Sequence, residues 1–390
     1  MPIWLLVLGA GALVFYTDDY VIAGVIPEIA GDLGVSAAKA GQLVTAFSLT
    51  VAIASPVIAV GAARVPGRAL LGAAAVVFTA ANVLAALAPG YPLLLALRVL
   101  AALAAAAATP VLFGTAASLA PPERVGRYVA VVAFGVTGAI AVGVPVGTWV
   151  GGAFGWRATF ALMAVAGAVF GAAAVLVLPR QKGVREALPV RRQLAILARP
   201  AVSLGLAANL VLMLGSMMVL TYLAPYVGAL ADAGPGERGV LFAVSGIAGM
   251  VGIWAGGAAT DRWGPDRTLV AGVAAFVASM AALLALWPWR PASLAVLLPV
   301  VAVWGGAAFW NSPAVQARLH MLSGPVATQA LALNTSGTYL GVAAGGAIGG
   351  AVLGAGGLAQ LPVVVAAAGL VALGLFVAAR RSARQTSTLG

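Results

Sequence analysis

Val14-Phe15-Tyr16-Thr17-Asp18-Asp19-Tyr20-Val21-Ile22 sets two adjacent carboxylates inside an otherwise apolar run. Only ten acidic residues occur in the 390-residue chain, and the other eight fall in short breaks between long apolar stretches. Those stretches are either core helices or bilayer spans, and composition favours the bilayer. Hydrophobic residues make up 63% of the chain and charged residues 8%, where a soluble domain carries about 25% charged residues. The 50 glycines and 22 prolines suit membrane helices. A carboxylate in hydrocarbon costs roughly 2.5–3.5 kcal/mol or more, so Asp18 and Asp19 read as an ion site or proton relay. The expectation is a polytopic membrane transporter that uses the proton as its coupling ion.

Several other classes are excluded. With no Cys, disulfides and thiolate metal sites are ruled out, and the single His320 makes neither a zinc site nor a Ser-His-Asp relay. No metal, cofactor or catalytic residue is expected. No H-E-x-x-H, G-x-S-x-G or phosphate-loop string appears, so neither an enzyme nor a nucleotide-driven pump is expected. The net charge of +11 is dispersed as Arg in short loops, which points to membrane topology and not to nucleic acid. Met1-Pro2-Ile3-Trp4 lacks a basic n-region, so the first helix is expected to remain in the mature protein.

A bilayer span needs about 20 apolar residues. Cutting at charge and Pro/Gly breaks predicts spans over 3–25, 40–61, 69–88, 93–117, 127–150, 157–178, 202–224, 239–258, 268–287, 293–315, 328–352 and 360–379. The longest break gives four segments: a six-helix bundle over 1–179, a linker over 180–200, a second bundle over 201–380 and a tail over 381–390. The linker reads as amphipathic, with Leu194, Ile196 and Leu197 on one side. Sixteen of the 21 basic residues fall in the even-numbered loops, the linker and the tail; Lys39, Arg157, Arg238 and Arg290 lie opposite, and Arg98 lies inside span four. That bias predicts both termini in the cytoplasm.

The turn after span eight reads Gly257-Ala258-Ala259-Thr260-Asp261-Arg262-Trp263-Gly264-Pro265-Asp266-Arg267. It resembles the cytoplasmic loop motif of the major facilitator superfamily. The resemblance implies that Asp261 pairs with Arg across the bundle and latches one conformation; the alternative is a turn with solvated charges. The equivalent turn in the first half keeps Gly61, Arg64 and Arg68 but lacks the acid. Span five, with Gly143-Val144-Pro145-Val146-Gly147 inside a glycine-rich helix, looks like the antiporter motif of the same superfamily and implies an exporter. The alternative is ordinary small-residue packing, since Gly341 to Gly350 of span eleven show the same pattern.

Arg98 matches the span-four Arg of the proton-coupled members. Counting from span ends at 1.5 Å per residue puts Arg98 about 8 Å deep and Asp19 about 10 Å deep from the same face, so the two are expected to pair. Snorkelling of Arg98 to the headgroups is the alternative. The run Thr17 to Ala30, Ala40-Gly41-Gln42-Leu43, Gly155-Trp156-Arg157 and Val303-Trp304-Gly305 with Pro313 resemble the arabinose-, sugar- and purine-efflux subgroup of drug:proton antiporters. An acid is usual there at the position of Asp19, so Asp19 is the first candidate for protonation and Asp18 the second.

Candidate cavity residues are Tyr16, Tyr20, Gln42, Phe47, Asn82, Thr109, Phe113, Asn209, Met213, Tyr222, Trp304, Trp310, Asn311, Asn334 and Tyr339. Each has a packing or helix-bridging alternative. As a set they describe an apolar cavity with scattered hydrogen-bonding groups, suited to uncharged or weakly cationic organic molecules. The expected function is proton-coupled efflux of such compounds by a monomer in the bacterial inner membrane. The rivals are a narrower exporter of nucleosides, purines or sugars, and a non-transporting membrane sensor.

Overall fold

A computed structural model describes residues 1–62, 64–121, 124–179, 195–323 and 327–387. The protein is all-α. Among the described residues, twelve helices are long and apolar enough to cross a membrane. They are α1 (Ile3–Leu33), α2 (Ala37–Gly61), α3 (Gly67–Ala86), α4 (Tyr91–Ser118), α5 (Val125–Phe154), α6 (Trp156–Val177), α7 (Pro200–Ala231), α8 (Pro235–Trp263), α9 (Pro265–Leu286), α10 (Leu294–Ser323), α11 (Ala327–Gly356) and α12 (Leu361–Ser387). Most of the expected linker lies outside the described residues; Ala195–Ala198 form a 3-10 turn before α7.

Several helices run past their predicted ends. α1 continues through Pro27, α7 through Pro225, and α10 through both Pro299 and Pro313. Proline removes one hydrogen bond, but neighbouring helices and local adjustments re-satisfy the freed groups in a membrane helix. Proline therefore failed as a stop signal at Pro27 and Pro225, just past the predicted ends of spans one and seven; the span predicted over 293–315 already included Pro299 and Pro313. In α5 the turn Ala139–Gly143 is π-helical, immediately before Pro145.

The chain forms two compact units. One comprises Met1–Leu188 with Gly234–Ala243, and the other Pro189–Ala233 with Val244–Gly390. In the first, α1 packs on α5 and α6, and α3 on α4 and α6. In the second, α7 packs on α11 and α12, and α9 on α10 and α12. Every one of these pairs recurs six helices later, the pattern of a parallel repeat. Phe15 anchors the first core, edge-on to Phe78 at 4.8 Å and to Phe170 at 5.6 Å between centroids. Val202, Leu212, Leu269, Val273, Leu319 and Phe376 fill the second.

Candidate functional site

The site is built around α1, whose carboxylates need both support and enclosure. Enclosure comes from α5. A Cβ added to Gly135 would lie on the Gly9 carbonyl oxygen, one on Gly143 on the Thr17 side chain, and one on Gly147 on Val21. These glycines bring the α5 backbone against α1, so the small-residue pattern works as helix packing here. The π turn ends at Gly143, opposite Thr17 and one residue from Asp18.

Support comes from α4. Arg98 Nη1 donates to Asp18 Oδ2 at 2.7 Å, and its Nη2 donates to the Asp18 backbone carbonyl at 2.9 Å. The guanidinium also lies over the Phe47 ring, 4.3 Å from its centroid. Asn82 of α3 is buried beside the Asp18 carboxylate, and its amide donates to the Phe78 carbonyl at 3.1 Å. Four helices thus meet at one buried ion pair. Relative exposures are 0% for Asp18 and 1% for each of Asp19 and Arg98. Arg98 does not snorkel.

Depth matching placed Asp19 opposite Arg98; the structure places Asp18 there. Adjacent residues differ by only about 1.5 Å in depth but by about 100° in direction, and direction chooses the partner. Neither oxygen of Asp19 has a hydrogen-bond partner among the described residues. Tyr16 and Tyr20 are half-buried, with ring centroids 6.0 Å apart. Asp19 projects about 60° from Tyr16 on the helix wheel. An isolated buried charge is costly, and carrying a proton removes it.

The other candidates fall into separate groups. Thr109 is buried and Phe113 half-buried on α4, while Gln42 is exposed on α2. In the second unit, Asn209 donates to Asn334 Oδ1 at 2.8 Å and to Thr338 Oγ1 at 3.2 Å. Tyr222 donates to the Gly346 carbonyl at 2.6 Å, which makes it a bridge between α7 and α11. Met213 packs beside Gly341, and Tyr339 is buried. Trp304 is buried, and its Nε1 has no partner among the described residues. Trp310 Nε1 donates to the Thr268 carbonyl at 3.0 Å. Asn311 is fully buried and donates to the Ala307 carbonyl at 3.2 Å.

At the α8–α9 turn, Gly264 takes φ +78°, which lets the chain leave α8 and restart at Pro265. Asp261, Arg262 and Arg267 are exposed, and Gly257 lies half-buried on the last turns of α8. The acid paired here is Asp266, which meets Arg380 at 2.9 Å and Arg318 at 3.3 Å. Asp266 sits in the first turn of α9, where the helix dipole favours an anion. In the first half, Arg68 Nη1 donates to the Leu178 carbonyl at 3.4 Å, and Arg64 is exposed.

Two further ion pairs escaped the sequence reading. Glu28 receives both Arg238 nitrogens, Nη2 to Oε1 at 2.5 Å and Nη1 to Oε2 at 3.3 Å. Asp32 Oδ2 accepts from Trp156 Nε1 at 3.0 Å and from Arg157 Nη1 at 2.5 Å. Their partners lie 124 to 210 residues away in sequence, beyond the reach of any local pattern. The one available signal was compositional: a scarce acid at an apolar helix end.

Comparison with known proteins places this geometry in a family. Residues 8–328 match the Major Facilitator Superfamily. The chain is 32% identical over 367 residues to a chloramphenicol resistance protein of Streptomyces lividans, covering 91% of this chain and 90% of that one. It is also 32% identical over 381 residues to the inner membrane transport protein YdhP of Escherichia coli strain K12, covering 97% and 96%. A bacterial homologue of the human lysosomal transporter Spinster shares the fold, with a TM-score of 0.77, 19% identity and coverage of 98% and 97%. The chain belongs to the major facilitator superfamily: it is a multi-pass membrane transporter and not an enzyme.

Proposed function

We propose that this major facilitator is a proton-coupled exporter of small, uncharged or weakly cationic organic compounds. The observation that carries the reading is Asp19, a carboxylate 1% exposed with no hydrogen-bond partner among the described residues, beside an acid that is already paired. Arg98 neutralises Asp18, and the second acid is left for a proton. Asp18 then fixes the local geometry while Asp19 cycles between charged and neutral as access alternates. The close α1–α5 contact supports the antiporter reading of span five, since it seals the helix that carries the acid. The Streptomyces relative, by its name, confers chloramphenicol resistance, which supports drug-like substrates. In this reading the protein acts as a monomer in the inner membrane with both termini in the cytoplasm.

Cells expressing the protein should accumulate less labelled chloramphenicol than control cells, and a proton uncoupler should remove the difference. Asp19→Asn should do the same without an uncoupler. Export that persists under the uncoupler would sink proton coupling. Failure of chloramphenicol alone would move the search to nucleosides, purines and sugars.

A further inference from the structure

A crevice of about 650 Å³ runs along the second unit where α8, α9 and α10 meet. Its floor is main chain. A Cβ on Gly252 would lie against the Gly306 carbonyl oxygen, and one on Gly256 against that of Trp310, so α8 and α10 touch backbone to backbone. Alanines, valines and glycines form the walls, and among the described residues no charged or hydroxyl-bearing side chain lines it. The indoles of Trp263 and Trp310, 6.3 Å apart between centroids, close the end nearest the α8–α9 turn. The Trp310 N–H is already committed to the Thr268 carbonyl. Val251 and Val303 on the rim are exposed, as lipid-facing residues are.

The lining extends from Ala248 to Trp263 along α8, about 22 Å at 1.5 Å per residue. One leaflet contributes about 15 Å of hydrocarbon. The crevice is therefore long enough for a single alkyl chain entering from the turn side. Charge gathers at that end. Arg262 adjoins Trp263 in the chain and Arg267 adjoins Thr268, whose carbonyl holds the Trp310 indole; both arginines are exposed, while Asp266 is taken up by Arg318 and Arg380, which leaves Asp261 as the exposed acid of the turn. Two guanidiniums against one free carboxylate favour an anionic group at the mouth.

We infer that this crevice holds one acyl chain of an anionic phospholipid, with Arg262 and Arg267 meeting its headgroup phosphate. The site is separate from the α1 acids and does not depend on what the protein exports.

Native mass spectrometry of the purified full chain tests the inference, with phosphatidylglycerol and phosphatidylcholine of matched acyl chains as probes. The wild type should retain one phosphatidylglycerol with about tenfold preference. Ala271→Phe, at an exposed wall position, should lose both lipids. Arg262→Gln with Arg267→Gln should keep a lipid but lose the preference. Should Ala271→Phe fail to fold, quenching of wild-type tryptophan fluorescence by acyl-brominated lipids gives an independent reading, with phosphatidylglycerol expected to quench more strongly. Equal retention by wild type and Ala271→Phe overturns the inference. So does a preference that survives the double Arg substitution, equal quenching by the two lipids, or a protein dimer in place of bound lipid.

Discussion

The two units solve the same packing problem and bury different chemistry. In the first, Gly135 of α5 lies against the Gly9 carbonyl and Gly143 against Thr17; in the second, Gly341 of α11 lies against the Leu210 carbonyl and Gly349 against Met218. Both contacts give the same register: residue 9 corresponds to 210 and residue 17 to 218, so Asp18 and Asp19 correspond to Val219 and Leu220. The first unit thus buries an ion pair and a spare carboxylate where its counterpart buries two hydrocarbons. On the counterpart of α1 the polar contact is neutral, Asn209 with Asn334 and Thr338, and the buried cation of the second unit, Arg318, pairs with Asp266 at the α8–α9 turn. The helix-on-helix scaffold is shared, and at these positions on the repeated helix the charge is specific to one copy. A division of labour fits the proposed function, with the proton handled in the first unit.

Asp19→Asn is the largest expected break. It should abolish uphill export, measured as labelled-drug accumulation, while thermal unfolding in detergent stays near that of the wild type. Full uphill transport by this variant would erase the functional difference between the units, and Asp18→Asn would be the next test. Arg98→Ala should come second, losing about 3–5 kcal/mol because it strands a buried carboxylate. Adding Asp18→Asn should recover much of that loss. The comparable cut in the second unit, Asn209→Ala, should lose only about 1–3 kcal/mol; equal losses would show that charge is not what separates the two.

Gly143→Ala and Gly349→Ala address what the units share. Each places a methyl against a side chain of the facing helix, Thr17 or Tyr222, and should lose about 1–3 kcal/mol by overpacking. A loss in one helix pair alone would break the structural half of the comparison. The smallest effect is expected at the α8–α9 turn. Asp266→Asn removes one partly exposed pair, with Arg380, and weakens one in which Arg318 is buried; Asn keeps a carbonyl acceptor, so the loss should be about 1 kcal/mol in stability. It should slow transport more than Asp261→Asn, and the reverse order would restore Asp261 as the latch.

The twelve-helix architecture was legible because a span is a one-dimensional signal. Apolar runs, short breaks and the spacing of Arg are all local. Helix ends were less legible: Pro27 and Pro225 look like stops, but inside a packed bundle their freed carbonyls find other partners. The residues around the acids could be named, yet the partner of Arg98 could not. That choice rests on rotation about α1, and rotation is set by which glycines of α5 press on Thr17 and Val21. The same limit hid Asp266. The motif directs attention to Asp261, but the start of a new helix at Pro265 turns Asp266 toward Arg318 and Arg380.

The π turn at Ala139–Gly143 also bears on how this chain tolerates changes of length. Such a turn holds one residue more than the α-helical turn it replaces. Removing one residue from this segment would let α5 close into a regular helix while the parts on either side keep close to their present phase. Gly135 and Gly147 would then still face α1 together. α11 is α-helical throughout Ala327–Gly356 and carries no such spare residue. The extra residue thus marks a place where α5 can change length: a single-codon deletion there would leave the α1 contact in phase, whereas one in the middle of α11 would turn its two ends about 100° apart.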